Sequence, residues 1–305
     1  MDIIPILLKV TVLFLIIAVG YIANRCGVLN TEGSRMLSRL VICVTFPAYV
    51  LGGAMTSATP SAESVLLLGG LALGHYLLLF LLAWLLPKLL HTPESQIGTY
   101  RFMMVFANVG FIGYPVVSAV LGPEAVFPAT MFVLPFNLLC YTVGVLMIAN
   151  GSGARLSLRL LLTPSVIACA TAIVLALLPL DYPSLIVDAC QTLGSVTTPA
   201  ALLIIGSSLA DIPLRQLSGS PRLYLLCLFR LVLMPLLCWA VLRNFISDRI
   251  ALGVTVLLSG MPVATNGTMF CLTYGGDRRL ISQGTFLTTL LSLATIPLMA
   301  LLLQI

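Results

Sequence analysis

Long apolar runs, each close to twenty residues, alternate with short polar connections from one end of this chain to the other. Crossing a bilayer as a helix takes about 20 apolar residues. The pattern predicts ten such segments, at about 3–23, 36–56, 65–86, 97–121, 125–148, 164–180, 184–210, 222–242, 249–273 and 280–303. The connections leave no room for a soluble domain. The longest polar stretches are Asn24–Arg35, Pro87–Gln96 and Asn150–Leu158, the last reading as a hinge between two halves.

Two of the ten runs are interrupted. The fourth contains FANVGFIGYPVVSAVLG, from Phe106 to Gly122, and the ninth SGMPVATNGTMFCLTYGG, from Ser259 to Gly276. Asn108, Gly110, Gly113 and Pro115 mark the first interruption; Gly260, Pro262, Asn266 and Gly267 mark the second. Proline removes a backbone donor and clashes with the preceding turn, and glycine lets the chain bend without a Cβ penalty. Such a break survives in lipid only inside protein or beside a polar cavity. Broken helices in matching halves of a membrane protein point to a transport site. Half-helix N-termini would present free N–H groups suited to an anion. Two breaks crossing near the midplane would form one small polar site with pseudo-two-fold symmetry. Two proline kinks, with each Asn bonded to a neighbouring helix, would leave the same letters.

The halves echo each other. Pro47 in FPAYVLGGAMTS and Pro199 in TPAALLIIGSSLAD lie 152 residues apart, and Glu124 in GPEAV and Asp277 in GGDRR lie 153 apart. These offsets predict a duplication, residues 1–150 and 151–305. Five spans is an odd number, so the second copy would be upside down, giving an all-α polytopic protein of two inverted five-helix repeats.

Composition agrees. Of 305 residues, 60% are hydrophobic and only 8% charged, against about 25% charged in soluble domains. The net charge of +5 is scattered over short loops, so it signals no nucleic-acid partner. Basic residues concentrate in alternate connections, at Arg25, Arg35, Arg39, Lys88, Arg101, Arg155, Arg159, Arg215, Arg222, Arg278 and Arg279. The other connections hold Arg243 and Arg249. The bias places the first set in the cytoplasm and both termini outside. The first segment opens on Asp2 without a basic n-region, so it reads as a membrane helix and not a signal peptide. The eight cysteines form no CxxC and read as apolar packing residues.

Further polar residues fall inside the spans. Thr45 and Pro47 in span 2, and Thr197, Thr198 and Pro199 in span 7, could line the same cavity, and Asn137 and Tyr141 share a face at i and i+4; each also suits helix packing. Intramembrane charge is rare and usually functional. Arg230 lies near mid-depth in the eighth span, able either to attract an anion or to hold a scaffold carbonyl. His75 lies near mid-depth in the third, as a proton relay or a structural histidine. Lys9 and Asp188 fall nearer an interface. No GxxxxGK[ST], HExxH or GxSxG occurs, and nothing marks a metal site, a cofactor or a catalytic pair. No carboxylate cluster announces a Na⁺ or proton site, so coupling stays open.

Four stretches carry a resemblance: GYIANRCGVLNTEGSRMLSRLVICVTFPAYVL, ANVGFIGYPVVSAVLG, FRLVLMP and MPVATNGTMFCLTYGG. Through them the chain resembles, almost end to end, the auxin efflux carrier family within the bile acid/auxin/arsenite transporter group. The resemblance implies a scaffold of spans 1, 2, 6 and 7 and a moving transport domain of spans 3–5 and 8–10, with spans 4 and 9 crossed. It implies small organic anions as substrates, such as malate, malonate and auxin-like acids. Asn108 matches the family's polar crossover position, and Arg230 with Pro235 its basic residue and downstream proline; Asn266 falls at a position that varies in plant relatives. A homodimer is implied by resemblance alone. The expectation is therefore a secondary anion carrier of elevator type in a bacterial inner membrane. A membrane sensor that binds without transporting is the alternative.

Overall fold

The computed structural model describes residues 3–56, 60–149, 162–178, 180–211 and 219–303. The expected hinge at Asn150–Leu158, with Arg155, Arg159 and Arg215, lies outside them. The fold is all helical, with no β-strand among the described residues beyond one isolated bridge. Among the described residues, seven helices are long and apolar enough to cross a membrane. They are α1 (Ile3–Arg25), α2 (Thr31–Thr56), α3 (Ala62–Leu89), α6 (Pro123–Ala149), α8 (Ser184–Ala210), α9 (Pro221–Leu242) and α12 (Arg278–Leu302). The shorter ones are α4 (Glu94–Val105), α5 (Val109–Leu121), α7 (Pro164–Leu177), α10 (Arg249–Ser259) and α11 (Asn266–Tyr274).

Helix starts are fixed by side chains that take up unpaired N–H groups. Asn30 accepts from Gly33 N–H at 2.8 Å, Asp248 from Ile250 and Ala251, and Asp277 from Leu280 at 2.9 Å. Helices α5 and α11 both end on a glycine in the positive-φ region, Gly122 at 99° and Gly275 at 90°, which a side chain would resist. Three wide π-turns, at Val41–Thr45, Val109–Gly113 and Phe229–Leu233, each end two residues before a proline: Pro47, Pro115 and Pro235. Proline offers no N–H and crowds the carbonyl four residues back; widening the turn relieves both effects.

The chain divides into two compact units. The first draws on Met1–Gly70, Gly110–Leu134 and Leu162–Asp211. In it α1 and α8 approach closely through glycine: a Cβ on Gly206 would lie 1.9 Å from the Ile17 carbonyl oxygen, and one on Gly20 2.3 Å from that of Leu203. Small residues that admit a neighbouring backbone are a main source of helix adhesion in lipid. Polar bonds tie the ends together. Asn24 donates to Ser207 and Asp211 at 3.0 Å each, and Ser34 and Ser207 share a bond of 2.7 Å.

The second unit draws on Leu71–Val109, Pro135–Leu161 and Ile212–Ile305. Aromatic residues fill its interior: Phe102 lies against Phe106 and Phe270, and Phe106 against Phe80 and Phe136. This unit holds both helix breaks.

Candidate functional site

The first break is shorter and earlier than the glycines suggested. Helix α4 ends at Val105, and Phe106 turns extended (φ −98°, ψ 104°). Val109 already begins α5. Gly110 and Gly113 therefore belong to a wide turn, and Pro115 to the α-turn that follows, its missing N–H accommodated by that widening. The second break runs from Gly260 to Thr265 and contains Pro262; Asn266 and Gly267 open α11.

The two breaks meet backbone to backbone. Asn108 N–H donates to Pro262 C=O at 2.7 Å, Ala264 N–H donates to Phe106 C=O at 2.9 Å, and Ala107 pairs antiparallel with Val263 between them. Each extended segment satisfies the groups that the other leaves unpaired. That exchange is what makes non-helical backbone tolerable in a lipid-embedded protein.

Neighbouring helices take the remainder. The Thr288 hydroxyl on α12 accepts from Val263 N–H at 3.1 Å and donates to Gly284 C=O at 2.7 Å. Arg230 on α9 donates through Nε to Met261 C=O at 3.2 Å and through Nη1 to Met104 C=O. Met104 lies in the last turn of α4 and Met261 just past α10, so the cation faces two helix C-terminal ends, where positive charge is favoured. Of the two roles open to Arg230, holding carbonyls is thus observed.

Other expected residues gather on α6 and α11. Asn266 is partly exposed, and its side chain reaches the Cys140 thiol. The Tyr141 ring meets Phe270 edge-on at 5.6 Å, and Asn137 lies one turn earlier on α6, 8% exposed. Gly267 serves packing: a Cβ there would come 2.6 Å from the Phe102 ring and 2.8 Å from Ile281. The N–H groups of Gly267 and Thr268 turn back onto Ala264 and Thr265 at 3.3 Å, so these two are not free for an anion. His75 is buried within electrostatic reach of Arg230. Thr45 closes the π-turn of α2 and Thr198 begins the second part of α8; both belong, with Gly110, Gly113 and Pro115, to the first unit. Among the described residues no cluster of His, Cys, Asp or Glu could hold a metal ion.

Thr288 went unread in the sequence. Its signal is a buried hydroxyl stripe at helical spacing, Thr285, Thr288, Thr289 and Ser292.

Two broken helices thus meet backbone to backbone in a chain of long apolar helices. The family model described as "Membrane transport protein" matches residues 5–157 and 152–300. The chain belongs to that family, the auxin efflux carrier-like membrane transporters. It is 24% identical over 287 residues to an uncharacterized transporter of Methanothermobacter thermautotrophicus, covering 93% of each chain. It is 27% identical over 300 residues to an uncharacterized transporter of Methanocaldococcus jannaschii, covering 95% of this chain and 96% of the other. A Rhizobium meliloti protein named "Putative malonate transporter" is 24% identical over 298 residues, covering 93% and 91%.

Proposed function

We propose that this chain is a secondary carrier of a small organic anion, a carboxylate of the size of malonate. The crossover carries this reading. It places Asn108 and Asn266, two polar side chains without charge of their own, on either side of a backbone exchange, with a buried cation holding both breaks. The carboxylate would be held by the Asn108 and Asn266 amides. The name of the Rhizobium relative favours malonate as the first acid to try, with malate and auxin-like acids beside it.

The architecture we propose is ten crossings in two inverted repeats. Several pairs support it. Gly122 and Gly275 close the second halves of the two broken segments with the same backbone conformation. His75 and Arg230, Trp84 and Trp239, and Lys88 and Arg243 are each 155 residues apart. The basic connections would face the cytoplasm and both termini the outside of a bacterial inner membrane. Alternating access would be of elevator type, the crossover-bearing unit carrying the acid, with the gradients setting direction.

Counterflow tests the reading. Liposomes holding the protein and preloaded with unlabelled malonate should transiently accumulate labelled malonate against its own gradient. Binding of malonate with no counterflow would identify a sensor instead.

A further inference from the structure

We propose that Arg230 has a second role beyond holding the crossover: its Nη2 edge binds a carboxylate of the carried acid. This rests on the carrier reading above and sharpens it to one residue.

A guanidinium has five N–H donors and no acceptor. Arg230 is 0% exposed and the largest fully buried side chain among the described residues. Nε and Nη1 are used on Met261 and Met104, while Nη2 is buried with no hydrogen-bond partner among the described residues. Two carbonyls need only the Nε and Nη1 donors, so the scaffold role leaves Nη2 unused.

The charge is left over as well. The ion pair found among the described residues joins Arg35 to Glu32, on an exposed surface. Titratable groups near Arg230 include His75, Tyr76 and Cys238, and among the described residues no carboxylate forms an ion pair with it. Burying a cation without a counter-ion costs several kcal/mol, and each helix C-terminus offers only about half a charge. A water molecule would satisfy the spare N–H groups but not the charge. A carboxylate satisfies both, because its oxygens accept two N–H bonds from one guanidinium edge.

Position supports the same partner. Arg230 bonds the Met261 carbonyl, and the main-chain N–H of Asn108 the next one along, that of Pro262. The two anchoring points are one peptide unit apart, about 3.8 Å between successive Cα atoms. A small acid seated against this paired backbone would lie beside the guanidinium.

The test is binding of malonate and of neutral malonamide to purified wild-type protein, Arg230→Lys and Arg230→Gln. The unfolding temperature of each is followed with and without ligand. A purely structural role would lower the ligand-free temperature and weaken malonate and neutral malonamide in equal proportion, whereas a ligand role weakens malonate selectively. A ligand role raises Kd by about tenfold in Arg230→Lys, which keeps the charge but loses the planar fork. It raises Kd at least 30-fold in Arg230→Gln, as when one partner of a buried charge pair is truncated. A malonate Kd within threefold of wild type in either folded variant, or an equal weakening of malonamide, overturns the proposal and leaves the carrier reading intact. If Arg230→Gln does not fold, Arg230→Lys decides alone. Wild-type protein that binds none of malonate, malate and indole-3-acetate overturns both.

Discussion

The main-chain N–H of Asn108 donates to the carbonyl of Pro262 at 2.7 Å across 154 positions of sequence. That bond and its mate, Ala264 to Phe106, make two separate interruptions into one feature. The backbone of Asn108 is thereby committed to the fold, and a substitution that keeps the main chain leaves both bonds in place.

Asn108→Ala should therefore keep the crossover and lose the amide. We expect malonate affinity to fall tenfold or more, since a hydrogen bond to a charged group contributes about 1.5–3 kcal/mol. The unfolding temperature should stay within a few degrees of wild type. Asn266→Ala should behave alike. Titration of each purified variant by isothermal calorimetry checks both.

Thr288 makes a different prediction, one of stability. Thr288→Val has nearly the same shape but leaves Val263 N–H buried without an acceptor, at a cost of about 1–3 kcal/mol. Thr288→Ser restores the hydroxyl and should recover most of the loss. Thermal unfolding in detergent compares the three; equal stability of Thr288→Val and wild type would remove the hydroxyl from the account of the break.

The sequence pointed to interruptions in the fourth and ninth runs, because Asn, Gly and Pro recur there in long apolar stretches, but it did not separate a broken helix from a proline kink. Nor did it show where. Asn108, Gly110, Gly113 and Pro115 looked like the first break, yet the two glycines lie in a wide turn of α5 that accommodates the proline. The break falls at Phe106–Asn108, so Asn108 alone of the four lies in it, and what fixes it there is pairing with Pro262–Ala264. Such long-range exchange leaves no local mark. Arg230 stood out as a buried charge, but its carbonyl partners are backbone atoms, which carry no residue-type signal. Thr288 was hidden because a lone threonine in a membrane helix usually bonds its own preceding turn, as Thr289 does to Thr285 at 2.7 Å.

In the first unit, Gly206→Ala should destabilise the protein by about 1–3 kcal/mol through overpacking, because the new methyl would meet backbone, which cannot rotate away. Gly74→Ala is the control, with nothing within 4 Å of its Cβ position. Its unfolding temperature should match that of wild type.

The two tryptophans test the proposed inversion. Lys88 stacks on Trp84 at 3.4 Å and Arg243 on Trp239 at 4.2 Å, each pair at the C-terminal end of its helix. Such amphipathic pairs suit the membrane–water interface. With α3 and α9 running in opposite directions, the pairs lie on opposite faces. In protein reconstituted in one orientation, iodide added outside should quench Trp84→Phe or Trp239→Phe strongly, but not both. Equal quenching of the two single-tryptophan variants would contradict the inversion.

Uptake of labelled malonate, malate and indole-3-acetate into proteoliposomes, with Asn108→Ala in parallel, goes most directly to the proposed function. A carrier whose site is the crossover takes up at least one acid saturably, and Asn108→Ala loses that uptake while remaining folded and inserted. Uptake of none of the three by folded wild-type protein, or undiminished uptake by the variant, would contradict it.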